Sequence, residues 1–261
     1  MTTYTTEIAS DKLISDNPIH QRLLKAYIAA KPLVYGDLLE IGCGEGRGVE
    51  VLLDRVNTYH GLDKISEVIE KLSRNFPKAT FEQAIIPPLD TVPSNKYDTV
   101  VSFQVIEHIK NDRLFLEEIY RVLKPGGKAI ISTPNIRQTL SRNPWHIREY
   151  TGDQLKKLCE GIFDQVEANG IGGNEKVWAY HEANRKSVNK ITRFDILNLQ
   201  YRLPASLLKV PYEILNRMNR NKLHKQQAAA VEQISHKDYL LVDHPDKGLD
   251  LFFVLGKGKG V

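Results

Sequence analysis

The run Leu38-Leu39-Glu40-Ile41-Gly42-Cys43-Gly44-Glu45-Gly46 constrains this chain more than any other stretch. The mainly apolar segment from Leu38 to Ile41 reads as a buried strand, and three glycines follow it at alternate positions. Glycine there lets the backbone turn sharply and lie against a ligand, because no Cβ intervenes. Seventeen residues beyond Gly46, a second strand-like run from Tyr59 to Leu62 ends in Asp63. An acid at the tip of the next strand is placed to accept the two hydroxyls of a ribose. A glycine loop followed by an acid points to a nucleoside-containing cofactor.

A dinucleotide fingerprint has the spacing G-x-G-x-x-G and holds a pyrophosphate on a helix N-terminus. Here the spacing is G-x-G-x-G, and Glu40 lies inside the preceding strand. A carboxylate at that point would repel a pyrophosphate and suits a cationic amino-acid moiety. An NAD-type loop and a chance glycine cluster are the alternatives from this motif alone. Further segments follow in order. Tyr97 to Phe103 reads as a fourth strand, and Gln104-Val105-Ile106-Glu107-His108-Ile109 comes directly after it. Asp112 opens an amphipathic helix with Leu116, Ile119, Tyr120 and Leu123 at helical spacing. Lys124-Pro125-Gly126-Gly127 stops it, since proline cannot continue a helix and glycine supplies a left-handed exit. Lys128 to Thr133 is then a fifth strand, closed by Pro134-Asn135. The glycine loop resembles motif I of the class I S-adenosylmethionine (SAM)-dependent methyltransferases. The post-strand V-I-E-H and the L-K-P-G-G-x-x-x-I-S-T-P run resemble two further signatures of that family.

The resemblance implies an α/β fold: a Rossmann-like, seven-stranded, mainly parallel sheet with helices on both faces, plus a helical insertion before the last strand. Alternation of strands and helices over 37–135 itself demands parallel pairing with right-handed crossovers. Residues 11–30 read as helical, with Pro18 at a break or in a first turn. Thr151-Gly152-Asp153-Gln154 has capping-box spacing and begins a helix through Leu158. Phe163 to Ala168 reads as the sixth strand, and Asp250 to Leu255 as the seventh, antiparallel by resemblance. The expected organisation is an N-terminal helical cap (1–36), a SAM-binding domain (37–172 and 245–261) and a helical insertion (173–244). The insertion's apolar positions, among them Ile196, Leu207, Leu208 and Ile214, must bury against something, with breaks expected at Pro204 and Pro211. It would serve as a substrate lid or as an oligomer contact, a homodimer being one use of it.

By resemblance, SAM is the cofactor and S-adenosylhomocysteine the product. Glu40, Gly42, Cys43, Gly44 and Gly46 would form the methionine-side loop, with Asp63 on the ribose and Lys64 beside the adenine. Relatives carry an Asp after the third strand, which this chain lacks. Gln83 would replace it by hydrogen bonding, or Ala84 and Ile85 would contact the ring, and Gln104 completes the set. His20 and Tyr27 are weighed as pocket-lining residues of the cap. Removing a proton from an acceptor hydroxyl calls for a base titrating near neutrality, which singles out His108 and His146. The E-x-x-E-H pattern with a later His resembles the metal site of small-RNA 2′-O-methyltransferases, and related acid clusters occur in ubiquinone-pathway O-methyltransferases. Carried over, that pattern gives Gln104, Glu107, His108 and His146. An amide in place of the first carboxylate weakens the case for a divalent ion, so no metal is expected. Trp145, Arg148 and Tyr180 are candidate substrate contacts, with Trp178 and His181 beside them.

Two cysteines, Cys43 and Cys159, offer no disulfide framework. No apolar run reaches the ~20 residues that span a bilayer, and the polar first ten residues lack a signal-peptide core. A cytoplasmic protein is expected. Between His181 and Ala230 ten basic residues meet three acidic ones, a net +7 in a chain of formal net charge +4. Such an insert suits an anionic surface: a phosphorylated carrier, lipid headgroups or nucleic acid. Three functions follow: an O-methyltransferase acting on a small or carrier-linked acceptor (a sugar, quinol or natural-product hydroxyl), an RNA methyltransferase with a degenerate metal site, or a non-catalytic SAM-binding scaffold.

Overall fold

The computed structural model describes residues 13–195 and 197–259. The expectations placed on the first twelve residues, on Ile196 and on residues 260–261 lie outside the described residues. After a short 3-10 turn, α1 (Asn17–Ala30) carries Pro18 in its first turn, where the missing N–H has no helical partner to lose. Then follow β1 (Asp37–Ile41), α2 (Arg47–Leu52), β2 (Thr58–Asp63), α3 (Ser66–Asn75), β3 (Thr80–Gln83) and β4 (Tyr97–Phe103). Next come α4 (Asp112–Val122), β5 (Leu123–Pro134), α5 (Gly152–Glu160) and β6 (Gln165–Gly173). The insertion supplies α6 (Glu175–Thr192), α7 (Leu199–Arg202), α8 (Ala205–Gln226), α9 (Ala228–Gln233) and β7 (Tyr239–Val242), and β8 (Asp250–Gly256) closes the chain.

One sheet in the order β3-β2-β1-β4-β5-β8-β6-β7 unites them. The ladders from β3 to β5 are parallel. Those joining β5 to β8, β8 to β6 and β6 to β7 are antiparallel. The expected seven-stranded, mainly parallel sheet is therefore corrected to eight strands joined by four parallel and three antiparallel ladders. The extra strand arises because β6 continues past Ala168 through Gly170, Ile171, Gly172 and Gly173, leaving an edge that Tyr239–Val242 pairs. A glycine-rich run gives no strand signal, so β7 was absorbed into the expected insertion.

Alternation along the strands distributes apolar side chains to two faces. Leu39, Val100, Ile131 and Phe253 join α4 and α5 in one core. Leu38, Val101, Ile130 and Phe252 join α1, α2 and α6 in the other. Helices thus cover both faces, and the carboxyl ends of β1, β2, β4 and β5 come together at one edge. Thr151 and Gln154 form the reciprocal capping box expected at the start of α5. Pro204 precedes α8 as expected, but α8 runs on through Pro211, a correction to the expected break. An exposed proline costs a helix one hydrogen bond and a ring clash, which the 22-residue helix absorbs. No helix among the described residues is long and apolar enough to cross a membrane.

Candidate active site

The glycine loop leaves β1 with its backbone held to the neighbouring strand. The N–H groups of Gly42 and Cys43 both donate to the carbonyl of Leu62, at 2.8 and 3.0 Å. Gly42 has φ +80°, and a Cβ there would run into Val105. Gly44 has φ +49° with nothing within 4 Å of where a Cβ would stand. Its neighbourhood is open, as a loop lying against a ligand requires. Asp63, at the tip of β2, receives Gly44 N–H on one oxygen (2.9 Å) and Ile65 N–H on the other (3.1 Å). Loop and acid therefore form one unit, and each carboxylate oxygen retains a further lone pair.

Beneath them lies Glu40, 1% exposed. Tyr27 O–H donates to its Oε1 at 2.7 Å, while its Oε2 finds no hydrogen-bond partner. Burial pushes its carboxyl up to about 8, against the pull of the Tyr27 hydrogen bond and Arg47.

A cavity of about 280 Å³ opens over this unit. Gly42, Cys43, Gly44, Asp63, Lys64, Ala84, Ile85, Gln104 and His108 line it, roofed by Leu23, Ala26 and Tyr27 of α1. Gly46 lies outside it, capping α2 against Leu72. Gln83 is also outside, because its amide donates to the Lys64 carbonyl at 3.0 Å. His20 stands behind the wall beside Arg47, 3.3 Å away.

A second cavity, of about 260 Å³, adjoins the first, and Leu23, Gln104 and His108 belong to both. Amides and a hydroxyl contribute to its wall: Gln138, Ser141, Asn143, Asn184, Asn216 and Asn219. Asn219 is 5% exposed and its Oδ1 has no partner. Tyr180 and His181 of α6 and Tyr212 and Arg220 of α8 face the same space. Burial, aided by Arg22 and Arg185, lowers His181 to about 4, so it is neutral.

His146 lies on this wall in a fixed state. Asn143 Oδ1 accepts the Trp145 N–H at 3.1 Å, which turns its amide NH₂ onto His146 Nε2 at 2.8 Å. Nε2 is therefore the acceptor, and Nδ1–H donates to Glu149 Oε1 at 2.6 Å. His108 Nδ1–H donates to the Trp145 carbonyl at 2.9 Å. The two imidazoles meet edge to face at 5.0 Å. Both place their proton on Nδ1, which leaves Nε2 as the basic nitrogen.

Glu107 is buried below them, its Oε2 accepting from Thr133 at 2.8 Å. Burial raises its carboxyl to about 7, against the pull of backbone and Thr133 hydrogen bonds. Glu107, His108 and His146 each offer a ligand atom within 4.8 Å of the others, so a metal-like triad is present among the described residues. Within it, however, Glu107 serves Thr133 and His146 Nε2 serves Asn143. The Gln104 amide reaches Ser132 Oγ only at 3.4 Å.

Two expected substrate contacts are not brought to either cavity. Arg148 is largely exposed and paired with Asp112. Trp145 serves the loop instead: its ring lies under Lys209 Nζ at 3.5 Å, and its carbonyl holds His108. Two acids at the site went unremarked in the sequence. Glu149 is signalled by the H-x-x-E spacing after His146, which suits a tight turn. Asp250 is 1% exposed at the head of β8, paired with Arg22 at 3.2 Å, and lines the first cavity. Nothing local distinguishes it from a strand-terminal acid.

A family model described as a methyltransferase domain matches residues 39–131. A "Probable S-adenosylmethionine-dependent methyltransferase" of Mycolicibacterium smegmatis is 36% identical over 137 residues, covering 50% of this chain and 52% of that one. The mitochondrial ubiquinone biosynthesis O-methyltransferase of Rattus norvegicus is 31% identical over 137 residues, covering 46% and 38%. The chain spans about half the length of the first of these curated relatives. Among solved structures, a SAM-dependent methyltransferase of Thermotoga maritima superposes with a TM-score of 0.57 at 14% identity, covering 94% of this chain and 91% of that one. That likeness shows the fold. Glycine loop, anchored acid and sequence match agree: residues 39–131 match a methyltransferase domain and are similar to S-adenosylmethionine-dependent methyltransferases.

Proposed function

We propose that this chain methylates a hydroxyl of a small or carrier-linked acceptor rich in hydroxyl groups, such as a sugar, with His146 as general base. One observation carries the reading. His146, held by Glu149 with Nε2 as its acceptor nitrogen, lines an amide-walled cavity that shares His108 and Gln104 with the nucleoside-side cavity. Gly42, Gly44 and Asp63 would hold SAM, which when bound would supply a methyl group from a sulfonium, the C–S bond breaking as the new C–O bond forms and leaving a neutral thioether.

The residues of this chain do the rest. The amides of Asn184, Asn216 and Asn219 take up acceptor hydroxyls, as planar donor–acceptor groups do for polyols. An acceptor O–H would displace the Asn143 amide from His146 Nε2 and pass its proton to that nitrogen. Glu149 steadies the resulting imidazolium and holds the ring in place. His108, fixed by the Trp145 carbonyl, sits where the two cavities meet. Positioning supplies most of the acceleration in such a displacement. The helical insertion acts as the acceptor lid, since the inner face of α8 forms part of the cavity wall.

Incubation with labelled SAM and separated polar-metabolite, glycan and RNA fractions tests the acceptor class. Label confined to RNA would overturn the proposal. His146→Ala is expected to lower turnover about 100-fold or more while leaving SAM affinity unchanged. Unchanged turnover removes the histidine from the mechanism. The triad of Glu107, His108 and His146 favours a second reading, a metal-assisted site. Turnover that survives a chelator supports the base, and turnover abolished by a chelator and restored by added divalent cation supports the metal.

A further inference from the structure

The inner face of α8 lines the acceptor cavity, but its outer face is covered by nothing among the described residues. Leu207, Val210, Ile214 and Met218, spaced three and four residues apart, form one stripe along it, each more than half exposed. The segment leading into the helix adds Phe194, 76% exposed, and Tyr201, 64% exposed. Of seventeen exposed large apolar side chains among the described residues, nine fall between Phe194 and Met218. Scattered exposed apolar residues need no explanation, whereas a concentration of this kind marks a binding surface.

The charge around the stripe identifies what it meets. From Arg185 to Lys225 the chain carries ten basic residues and two acidic ones, Asp195 and Glu213. Some are committed: Arg217 and Arg220 hold Asp16, and Arg185 lies beside Glu182. Lys190, Arg202, Lys222 and Lys225 make no ion pair with the described residues. A symmetric contact between two copies would set this positive surface against itself. Neither does the surface suit single-stranded nucleic acid, which stacks on several aromatic rings. An apolar stripe bordered by lysine and arginine on a helix about 33 Å long fits the headgroup boundary of an anionic bilayer, with basic side chains reaching the phosphates.

We infer that α8 docks this protein in the plane of an anionic membrane surface, through Leu207, Val210, Ile214 and Met218 and the unpaired basic residues beside them. The helix lies on the bilayer and does not cross it. The acceptor cavity then lies on the opposite side of the same helix.

Co-sedimentation of the full chain with vesicles of equimolar phosphatidylcholine and phosphatidylglycerol, against phosphatidylcholine alone, tests this. Binding to the anionic vesicles only, weakened by salt, is expected. The double variant Ile214→Asp, Met218→Asp is expected to lower the partition about 100-fold or more. Lys222→Gln with Lys225→Gln is expected to lower it about 10- to 30-fold. Both pairs are exposed, so SAM affinity and thermal midpoint should match the parent protein and exclude misfolding. Equal binding to neutral vesicles, or no binding to either, would overturn the inference. So would a dimer in solution that Ile214→Asp disperses, which assigns the stripe to a second copy. Binding to vesicles that a single-stranded RNA homopolymer abolishes at equal charge assigns the surface to nucleic acid.

Discussion

Glu40→Gln provides a quantitative test of how the cofactor loop is built. Glu40 is fully buried with one oxygen on Tyr27 and the other without a partner. Its carboxyl stands near 8 in the folded chain against 4.5 in its ordinary state. A folded-state value raised above the unfolded one means that folding retains a proton. The stability contributed by protonated Glu40 is therefore present in full below pH 4.5 and is lost as pH rises through 8. Linkage converts this into a loss of roughly 3–4 kcal/mol between pH 5 and pH 8. Glutamine keeps an oxygen for the Tyr27 hydroxyl and carries no proton to lose, but sets an NH₂ where no acceptor waits, at a cost of about 1–3 kcal/mol. The two effects cross. The variant should be slightly less stable than the parent protein at pH 5 and more stable by about 1–3 kcal/mol at pH 8. Urea denaturation of both proteins at unit steps of pH measures the difference directly. Glu107 and Asp250, also raised by burial, tilt both curves alike and cancel. A difference that stays constant from pH 5 to pH 8 refutes the claim that Glu40 is held protonated.

Asp63→Ala removes the acceptor shared by the Gly44 and Ile65 amides, so SAM affinity should fall at least about 100-fold, two hydrogen bonds to a charged group being lost; calorimetric titration checks it. Glu149→Gln keeps a hydrogen bond to His146 without the charge, and kcat is expected to fall about 10- to 100-fold with KM and SAM affinity unchanged, as steady-state kinetics would show. Gly42→Ala drives a methyl into Val105 at φ +80° and should cost about 1–3 kcal/mol of stability. Gly44→Ala meets open space, so its stability cost stays near 1 kcal/mol while SAM affinity suffers more; denaturation and calorimetry together separate the two.

The features legible in the sequence are those whose signal is local. Glu40, the glycine loop and Asp63 lie in or beside two consecutive strands, and alternation fixes their edge of the sheet. His108 follows β4 within a few residues, which places it at the same edge of the sheet, whereas the second cavity beside it is walled by the distant insertion. The features that escaped depend on contacts between distant parts of the chain. Asp250 reaches the first cavity because β8 inserts next to β5. Arg148 leaves the site because Asp112, on α4, claims it. Trp145 is held by Lys209, 64 residues on, in the insertion. The strand β7 was hidden because its partner segment in β6 is rich in glycine, whose lack of side chains erases the alternation that marks a strand.

Asp16 binds both Arg217 and Arg220, at 2.9 and 3.2 Å, just before α1 begins. The helix that roofs the first cavity is thereby tied to a helix that walls the second. Opening either cavity by moving its helix strains the same two ion pairs. Under the proposed function, spent cofactor and methylated product should then leave in one opening rather than separately.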